Sequence, residues 1–591
     1  MIRTLGFAAL ALASTSLSGA ATAPPQPSEA VLDLLDPTRV ARSACGAGAR
    51  PSTARERQLR LAAIYAESAP AVPMGLSAGI DRSQIPATGL EGEARRYFDQ
   101  GLLLAYGFNH RAAIASFHEA ARLAPGCAMC AWGIALASGP NINAGMDDRQ
   151  RAEALAALAE ADRLASDASP LERALIAAQR ARYSAAAGSA QGALDAAYAD
   201  AMAKIAADNP ANDDVAILAI EAAMNTTPWN YWKEDRKSAQ PRIEQAVSAV
   251  ESVLARNPAH VQALHLFIHL MENHADPSRA EAAADRLAKA APGKLGHLVH
   301  MPSHIYYRIG RYTDSMVANV AAARADEDYI ARVGDNGLYR YGYYPHNVHF
   351  LLASAQMAGA MKTVASETAR LARVLDVETA RALPWVQAIH AAPSFALAQT
   401  GSPDAILSLT GTPSELDYVE AMRRYARAVA YAETRDDTAF AAELAAIDRA
   451  ATAPGVVKMV DAGFPAPDLV RLASLVARGK QALAAERPMD AVRLFEEAER
   501  IEATIPYNEP PFWYYPVAQS RGAALFEAGR YDAARDAFMK ALVAAPNNGW
   551  AVWGLARAER RLGNRVAALA AERALERTWM GEDDWLRMDR L

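Results

Sequence analysis

Apolar residues recur every three to four positions along most of the chain, and short polar turns, glycines and prolines interrupt this pattern at regular intervals. In YFDQGLLLAYGFNHRAAIASFHEAARLAPG, residues 97–126, two such runs flank one turn, and Gly101 lies where the runs must approach each other. The second run carries an apolar face and a closing proline: Ala113, Phe117, Ala120 and Pro125. A period near 3.6 residues is typical of amphipathic α-helices, so this stretch predicts two helices joined by a turn.

The same arrangement returns near the C-terminus in RGAALFEAGRYDAARDAFMKALVAAPNN, and weaker copies fill much of the interior. Its small and apolar residues hold equivalent places: Gly522, Gly529, Tyr531, Ala534, Phe538, Ala541 and Pro546. At these residues the sequence resembles the tetratricopeptide repeat family, whose unit has about 34 residues. The resemblance covers most of residues 90–575. It implies an all-α fold, a right-handed superhelical solenoid of helix-turn-helix repeats that bury their apolar faces against their neighbours.

The chain divides into four predicted parts. Residues 1–23 carry one arginine, a short apolar run and small residues suited to cleavage, which predicts a signal peptide rather than a spanning helix. Residues 24–90 are rich in Pro, Ala and Ser and predict a partly ordered lead-in. Residues 91–375 form an N-terminal and central array, and residues 376–591 form a C-terminal array. We therefore expect an exported, periplasmic protein with no membrane span after processing.

Charge and cysteine content narrow the class of protein further. The formal net charge is -6 and no long basic run is present, so we expect no nucleic-acid partner. Three cysteines are present, Cys45, Cys127 and Cys130. In an oxidising compartment Cys127 can pair with Cys130, or one of them can pair with Cys45. The sequence leaves this pairing open.

The histidines are concentrated in the middle of the array, where nine of the twelve lie between His260 and His349. In three consecutive units we count positions back from one small or apolar residue of the second helix. These reference residues are Ala280, Ser315 and Val364. Fifteen residues before these lie His265, His300 and His349, and eleven residues before the first two lie His269 and His304. The terminal repeats instead carry Phe98, Leu102, Gln519 and Ala523 at these places. Imidazole is therefore a special feature of the central units.

Residues three or four apart share a helix face, and packed helices lie about 8–10 Å apart. The resemblance implies that first helices line the concave surface of the array. We therefore predict a metal site formed by His265, His269, His300, His304, His346 and His349, because imidazole is the commonest metal ligand. The alternative for each histidine is a buried side chain hydrogen-bonded to its neighbours. The remaining histidines, His110, His118, His260, His274, His297 and His390, lie outside this phase, and His297 is at most a partner of a ligand.

Two carboxylates belong to the same prediction. Glu272 lies one turn after His269, and Glu221 follows Pro210 by eleven residues, as His269 follows Pro258. We predict both as catalytic residues, each acting as a ligand or a general base. The cofactor is a divalent transition metal, and zinc, iron and copper are not distinguished by these residues.

Two loops rich in aromatic residues, TTPWNYWKEDRKSAQP and GDNGLYRYGYYPH, are predicted to reach the same groove. Their candidate substrate-binding residues are Trp229, Trp232, Tyr343, Tyr344 and Asn347, and the alternative is ordinary loop packing. We expect a metal-dependent enzyme, hydrolytic or oxidative, acting on a small molecule or a peptide. The alternatives are a periplasmic scaffold that binds peptides in its groove, and a protein for metal storage or delivery. Segments such as HMPSHIYYRIGRY and EPPFWYYPVAQSRGA also resemble exported bacterial tetratricopeptide proteins, which implies no activity.

Overall fold

A computed structural model describes residues 75–77, 80–184, 191–334 and 339–591. Within these ranges the protein is all-α, as predicted, and the one pairing of β type is an isolated bridge between Trp232 and Ala239. The predicted signal peptide, most of the lead-in and Cys45 lie outside the described residues. Among the described residues, no helix has the length and apolar character needed to cross a membrane.

The α-helices follow one another along the chain as α1 Gly92–Tyr106, α2 His110–Leu123, α3 Ala128–Ser138, α4 Asp148–Leu164, α5 Pro170–Ala181, α6 Gln191–Asp208, α7 Asp213–Asn225, α8 Ile243–Arg256, α9 Val261–Met271, α10 Glu281–Ala290, α11 Gly296–His300, α12 Pro302–Arg308, α13 Tyr312–Val333 and α14 Tyr344–Ala358. The C-terminal helices are α15 Met361–Val374, α16 Val377–Ala382, α17 Pro384–Thr400, α18 Pro403–Leu409, α19 Asp417–Glu433, α20 Asp437–Ala450, α21 Pro454–Lys458, α22 Ala466–Ala484, α23 Pro488–Glu502, α24 Val517–Glu527, α25 Tyr531–Ala544, α26 Gly549–Arg561 and α27 Arg565–Thr578. Short 3-10 turns span Ala165–Asp167, Pro277–Ala280, Met459–Ala462, Asp583–Trp585 and Met588–Arg590, and a π-helical turn spans Tyr339–Tyr343.

Consecutive helices pack in pairs, and a glycine–phenylalanine contact fixes the spacing in the regular repeats. A Cβ atom on Gly101 of α1 would lie 2.6 Å from the Phe117 ring of α2, and one on Gly133 of α3 would lie 2.5 Å from it. The Phe538 ring stands in the same relation to Gly522 of α24. Since real Cβ contacts are longer than this, the phenylalanine occupies space that only glycine leaves open. The close approach predicted for Gly101 is confirmed.

The C-terminal helices turn back onto the central ones. The Trp550 indole of α26 donates to the Gln356 carbonyl at 2.9 Å, and the Met580 amide donates to the Ala358 carbonyl at 2.8 Å. One continuous hydrophobic core therefore includes residues from Tyr307 to Leu591. The boundary predicted between residues 375 and 376 falls inside this core. The chain segment 503–516, between α23 and α24, crosses to the histidine-rich helices.

Candidate metal centre

Three consecutive first helices bring the central histidines together. Helix α9 carries His265 and His269, and it is apolar on all sides because it is buried on all sides. The next first helix is split into α11 and α12 at Pro302, which has no N–H to donate to the preceding turn. This split helix carries His297, His300 and His304, and α14 carries His346 and His349.

The first group, which we term trio A, consists of His265, His269 and His297. One ring nitrogen of each lies within 4.8 Å of the other two. Nε2 of His265 is 3.2 Å from Nε2 of His297, and all three side chains are buried. Nitrogens bound tetrahedrally to one ion at 2.0–2.1 Å are separated by about 3.3 Å. Trio A therefore has the dimensions of a single-ion site.

The second group, trio B, consists of His300, His304 and His346 and has the same dimensions. Nε2 of His300 is 2.8 Å from Nε2 of His304, and the His300 and His346 ring centres are 4.9 Å apart. The two trios are neighbours, since the ring centres of His269 and His304 are separated by 6.1 Å. Those of His297 and His300 are separated by 6.3 Å. Two ions bound here would share one cavity.

Acceptors outside the trios determine which nitrogen of each imidazole faces inwards. The amide oxygen of Gln262 accepts from Nδ1 of His265 at 2.9 Å, and that of Asn319 accepts from Nδ1 of His300 at 2.6 Å. An amide oxygen has no proton to give, so the ring proton lies on Nδ1 and the Nε2 lone pair is directed into the trio. Metal-binding histidines are held in this way by acceptors on the opposite nitrogen.

Glu272 contacts Nδ1 of one imidazole in each trio. Its two carboxylate oxygens lie 2.7 Å from Nδ1 of His269 and 2.6 Å from Nδ1 of His304. A second carboxylate, Glu509 of the 503–516 segment, lies 2.7 Å from the same Nδ1 of His304. Glu272 was predicted as a ligand or a base, and this stays a prediction: it contacts one imidazole of each trio and forms with His304 and Glu509 a third group that could hold a metal ion. Tyr507 donates to Glu509 and to the Glu272 carbonyl, which fixes the segment in place.

One inward nitrogen has no hydrogen-bond partner among the described residues. Nε2 of His269 is fully buried and unpartnered, although its Nδ1 is held by Glu272. Leaving a buried polar atom unpaired costs about 1–3 kcal/mol. A cation in trio A would satisfy this nitrogen. The donor set therefore fits a metal ion.

The electrostatics of the cluster keep most rings in the form that binds metal. Burial lowers the pKa well below its usual value for His265, His297, His300 and His346. Burial also opposes charge on His304, but Glu272 and Glu509 outweigh it and raise the His304 pKa to about 10. The reciprocal effect of His304 and His269 holds the Glu272 pKa below its usual range despite burial. A proton on Nε2 of His304 therefore competes with a cation for trio B.

Each trio is covered by one phenylalanine that contacts all three of its rings. Phe108, in the turn after α1, has its ring centre 4.9, 5.9 and 5.0 Å from those of trio A. Phe350 of α14 has its ring centre 5.1, 4.9 and 5.6 Å from those of trio B. Neither residue is distinguished in the sequence from an ordinary core phenylalanine. Both make the surroundings of the imidazoles apolar.

Two of the five predicted substrate-binding residues lie at the trios. The Trp229 ring meets His269 edge-on at 5.5 Å, and its indole donates to Asn143 at 3.1 Å. The Tyr343 ring centre is 5.2 Å from that of His297. Trp229, Tyr343, Asn143 and His346 are half-buried, in contrast to the other five trio histidines.

The other three predicted substrate-binding residues have contacts elsewhere. Trp232 donates to the Leu270 carbonyl at 2.7 Å and packs against His274, so it attaches its loop to the end of α9. Tyr344 donates to Glu327 at 2.6 Å. Asn347 donates to Asp326 at 2.7 Å. Both of these carboxylates belong to α13, so these side chains position α14 against its neighbour.

Two further predicted residues lie outside the trios. His349 contacts the Tyr514 hydroxyl through Nε2, and burial lowers its pKa to about 3. Glu221 is 3.5 Å from the Gln262 amide nitrogen, so it reaches trio A through Gln262. Burial raises its pKa to about 7 although Arg182 lowers it. It supports the residue that orients His265.

His297 belongs to trio A, although the sequence analysis placed it outside the repeating positions of the other histidines. A regular spacing of three residues identifies its position. His297 lies three residues before His300, and His346 lies three residues before His349. Gln262 lies three residues before His265 in the same way. Each trio thus takes two imidazoles from one first helix and the third from the start of the next. Glu509 is 205 residues from His304, and no local pattern connects them.

Comparisons with known proteins do not identify a function for this site. No protein-family model matches the chain, and no curated protein matches it. The human IFIT1 dimer with m7Gppp-AAAA is similar at 12% identity and a TM-score of 0.31, covering 82% of this chain and 94% of that chain. Naa15/Naa10 bound to HypK-THB is similar at 13% identity and a TM-score of 0.20, covering 82% and 70%. At these scores no ligand is inferred from either structure, and the predicted absence of a nucleic-acid partner stays a prediction.

Proposed function

We propose that this helical solenoid holds two transition-metal ions, one in trio A and one in trio B, and acts as a metal-dependent enzyme. The observation that carries the proposal is the shared orientation of the imidazoles. Nδ1 of His265, His269, His300 and His304 is held by an acceptor outside the trios, and Nε2 is directed inwards. Nitrogen lone pairs directed at one another in a buried core need a proton or a metal ion between them, and in trio A, where burial lowers the pKa of all three imidazoles, we propose a metal ion.

The number of ligands favours catalysis over a structural ion. Structural zinc sites close four protein ligands around the metal, whereas catalytic sites keep a position open for water or substrate. Each trio offers three imidazoles, so a four-coordinate ion bound there would have one position without a protein ligand. The half-buried Trp229 and Tyr343 lie beside the trios, where an organic substrate would contact their rings.

The two alternatives from the sequence receive less support. A protein for metal storage needs many exchangeable sites, and the structure offers two small, buried groups of imidazoles with fixed orientation. A peptide-binding scaffold needs a free inner surface on its first helices. Tyr507, Glu509 and Tyr514 of the 503–516 segment already contact the first helices at the histidine region. An extended peptide would have to displace this segment.

Export to an oxidising compartment is part of the proposal. The structure joins Cys127 to Cys130 by a disulfide bond next to α3, one of the two pairings left open by the sequence. Disulfides persist in secreted and periplasmic proteins and are rare in the cytosol. Together with the predicted signal peptide at residues 1–23, this bond supports export. Sequencing the N-terminus of protein recovered from the periplasmic fraction tests the predicted cleavage.

Elemental analysis of the purified mature protein tests the metal sites. We expect two ions per chain, one for each trio, and a loss of one ion in each of His269→Ala and His304→Ala. His349→Ala is the matched control, because His349 is a buried imidazole of the same region that belongs to neither trio. Circular dichroism establishes that each variant keeps its helices. A wild-type protein that holds no more metal than the two variants would exclude the proposal.

A further inference from the structure

We propose that both ions are copper and that dioxygen is the substrate bound between them. This inference rests on the proposed function, because it requires both trios to be metal sites. It goes further by choosing one metal among zinc, iron and copper and by naming a co-substrate. Three features carry it: the ligand atoms, the pairing of the two trios and the apolar walls.

The ligand atoms of the two trios do not suit metals that depend on oxygen donors, although the neighbouring group of Glu272, His304 and Glu509 contains two carboxylates. Both trios are composed of imidazole alone, and the two nearby carboxylates face the Nδ1 side of the rings. Magnesium, calcium and manganese prefer carboxylate oxygens, and non-haem iron sites combine two histidines with a carboxylate. Imidazole nitrogen suits copper and zinc, and divalent copper binds such sites more tightly than zinc.

The pairing of the trios separates copper from zinc. The ring centres of His269 and His304 are 6.1 Å apart, and those of His297 and His300 are 6.3 Å apart, so two ions bound here would be close neighbours. Two neighbouring copper ions can each change oxidation state and so act together on one molecule, whereas zinc has no redox chemistry.

The apolar walls favour an uncharged co-substrate. Phe108 covers trio A and Phe350 covers trio B, and each contacts three imidazoles. A cuprous ion accepts three neutral ligands without a further anion, and dioxygen is small, neutral and soluble in apolar surroundings.

The uptake step balances in electrons and in charge. Each cuprous ion gives one electron to dioxygen and becomes cupric, and dioxygen becomes a peroxide dianion with one oxygen–oxygen bond. Two copper–oxygen bonds form and no proton moves. The total charge of two cupric ions and one peroxide is two positive, the same as before.

The test uses the full-length mature protein stripped of metal with a chelator. Under nitrogen we titrate it with cuprous ion against bicinchoninate, and in parallel with zinc ion against a zinc indicator. We expect two cuprous ions per chain. On exposure to air we expect uptake of one dioxygen per two copper ions. The paramagnetic resonance signal should account for far less than the total copper, because two bridged cupric ions pair their unpaired electrons.

Variants that remove one ligand from one trio provide the comparison. In His297→Ala and His346→Ala one copper site is lost, dioxygen uptake falls, and the remaining cupric ion gives a full resonance signal after chemical oxidation. His349→Ala keeps the wild-type behaviour. Two zinc ions with no tighter copper binding, or two copper ions that give a full signal and take up no dioxygen, would overturn this inference and leave the metal sites standing. Binding of neither metal would overturn both proposals.

Discussion

The C-terminal hairpin of α24 and α25 and the central hairpins that carry the histidines use one packing scheme for different purposes. At matching places the first has Gln519 and Ala523, and the second has His265 and His269. All four side chains are buried. In the C-terminal hairpin the Gln519 oxygen accepts from Asn548 at 2.7 Å, and the Gln519 amide nitrogen has no hydrogen-bond partner among the described residues. In the central hairpin the corresponding nitrogens are directed at each other.

The difference shows that the repeat supplies burial and direction, and that the residue type supplies chemistry. Any side chain at these places of a first helix is turned inwards and removed from water. An apolar residue there contributes to the core, whereas an imidazole there needs partners for both of its nitrogens. Gln262, Asn319 and Glu272 supply one partner each from inside the array. We infer that metal ions supply the other.

The largest expected effect concerns the hairpin without histidines. Phe538→Ala removes the ring that fills the space between Gly522 and Gly554, which leaves a cavity that the helices close only in part. Such substitutions cost about 3–5 kcal/mol in the free energy of unfolding. Denaturant unfolding measures the loss, and elemental analysis should still find both ions. A loss of metal in this variant would mean that metal binding by the central hairpins depends on the packing of the C-terminal hairpin.

Removal of metal is the corresponding stability test for the central hairpins, which carry the histidines. An ion that binds only the folded protein stabilises it by about 2.7 kcal/mol at a free concentration one hundred times its dissociation constant. We expect chelation to lower the melting temperature of the wild type and to leave that of a His269→Ala, His304→Ala double variant unchanged. Scanning calorimetry with and without chelator makes the comparison. Equal shifts in both proteins would show that the chelator acts elsewhere.

Much of the fold was predictable from the sequence, because each contact that defines a hairpin is local. Gly101 and Phe117 are sixteen residues apart, and the helical period places them on facing surfaces. Counting positions back from the second helices found four of the six trio histidines, and His346 was included because it lies one turn before His349. His297 lies at the same position, one turn before His300, and was left out. The count added His349, which fits the phase but has Tyr514 as its partner.

The rest of the site depends on long-range contacts, which the helical period of the sequence cannot predict. Glu509 reaches His304 because the C-terminal helices fold back onto the central ones. Phe108 reaches trio A from the turn after α1. The positions of Glu509 and Phe108 beside the trios depend on the overall curvature of the array, which is a sum of small rotations between repeats. Hydrophobic patterning within one hairpin carries no information about that sum.

Glu272→Gln tests whether the two trios depend on a common support. The amide keeps the shape of the side chain but can accept from only one of the two Nδ1 donors through its single oxygen, and it removes the negative charge that balances the ions. Loss of such a support typically costs a factor of 10–100 in metal affinity. We expect both sites to weaken in this range, as measured by competition with a chelator of known affinity. An effect confined to one ion would show that Glu272 serves a single trio.

The smallest expected effect distinguishes the trios from each other. Gln262→Ala removes the acceptor of His265 in trio A, and Asn319→Ala removes that of His300 in trio B. Because each imidazole keeps its place on the helix and loses only its orientation, we expect about a tenfold loss of affinity, at the low end of the range for such supports. Each loss should affect one ion and spare the other. Gln519→Ala removes a buried amide at the matching place of a hairpin without histidines, so its metal content and both affinities should equal those of the wild type. If Gln262→Ala and Gln519→Ala behave alike, burial alone determines what the amide does, and the orientation of the imidazoles is a by-product of packing rather than a requirement of the metal site.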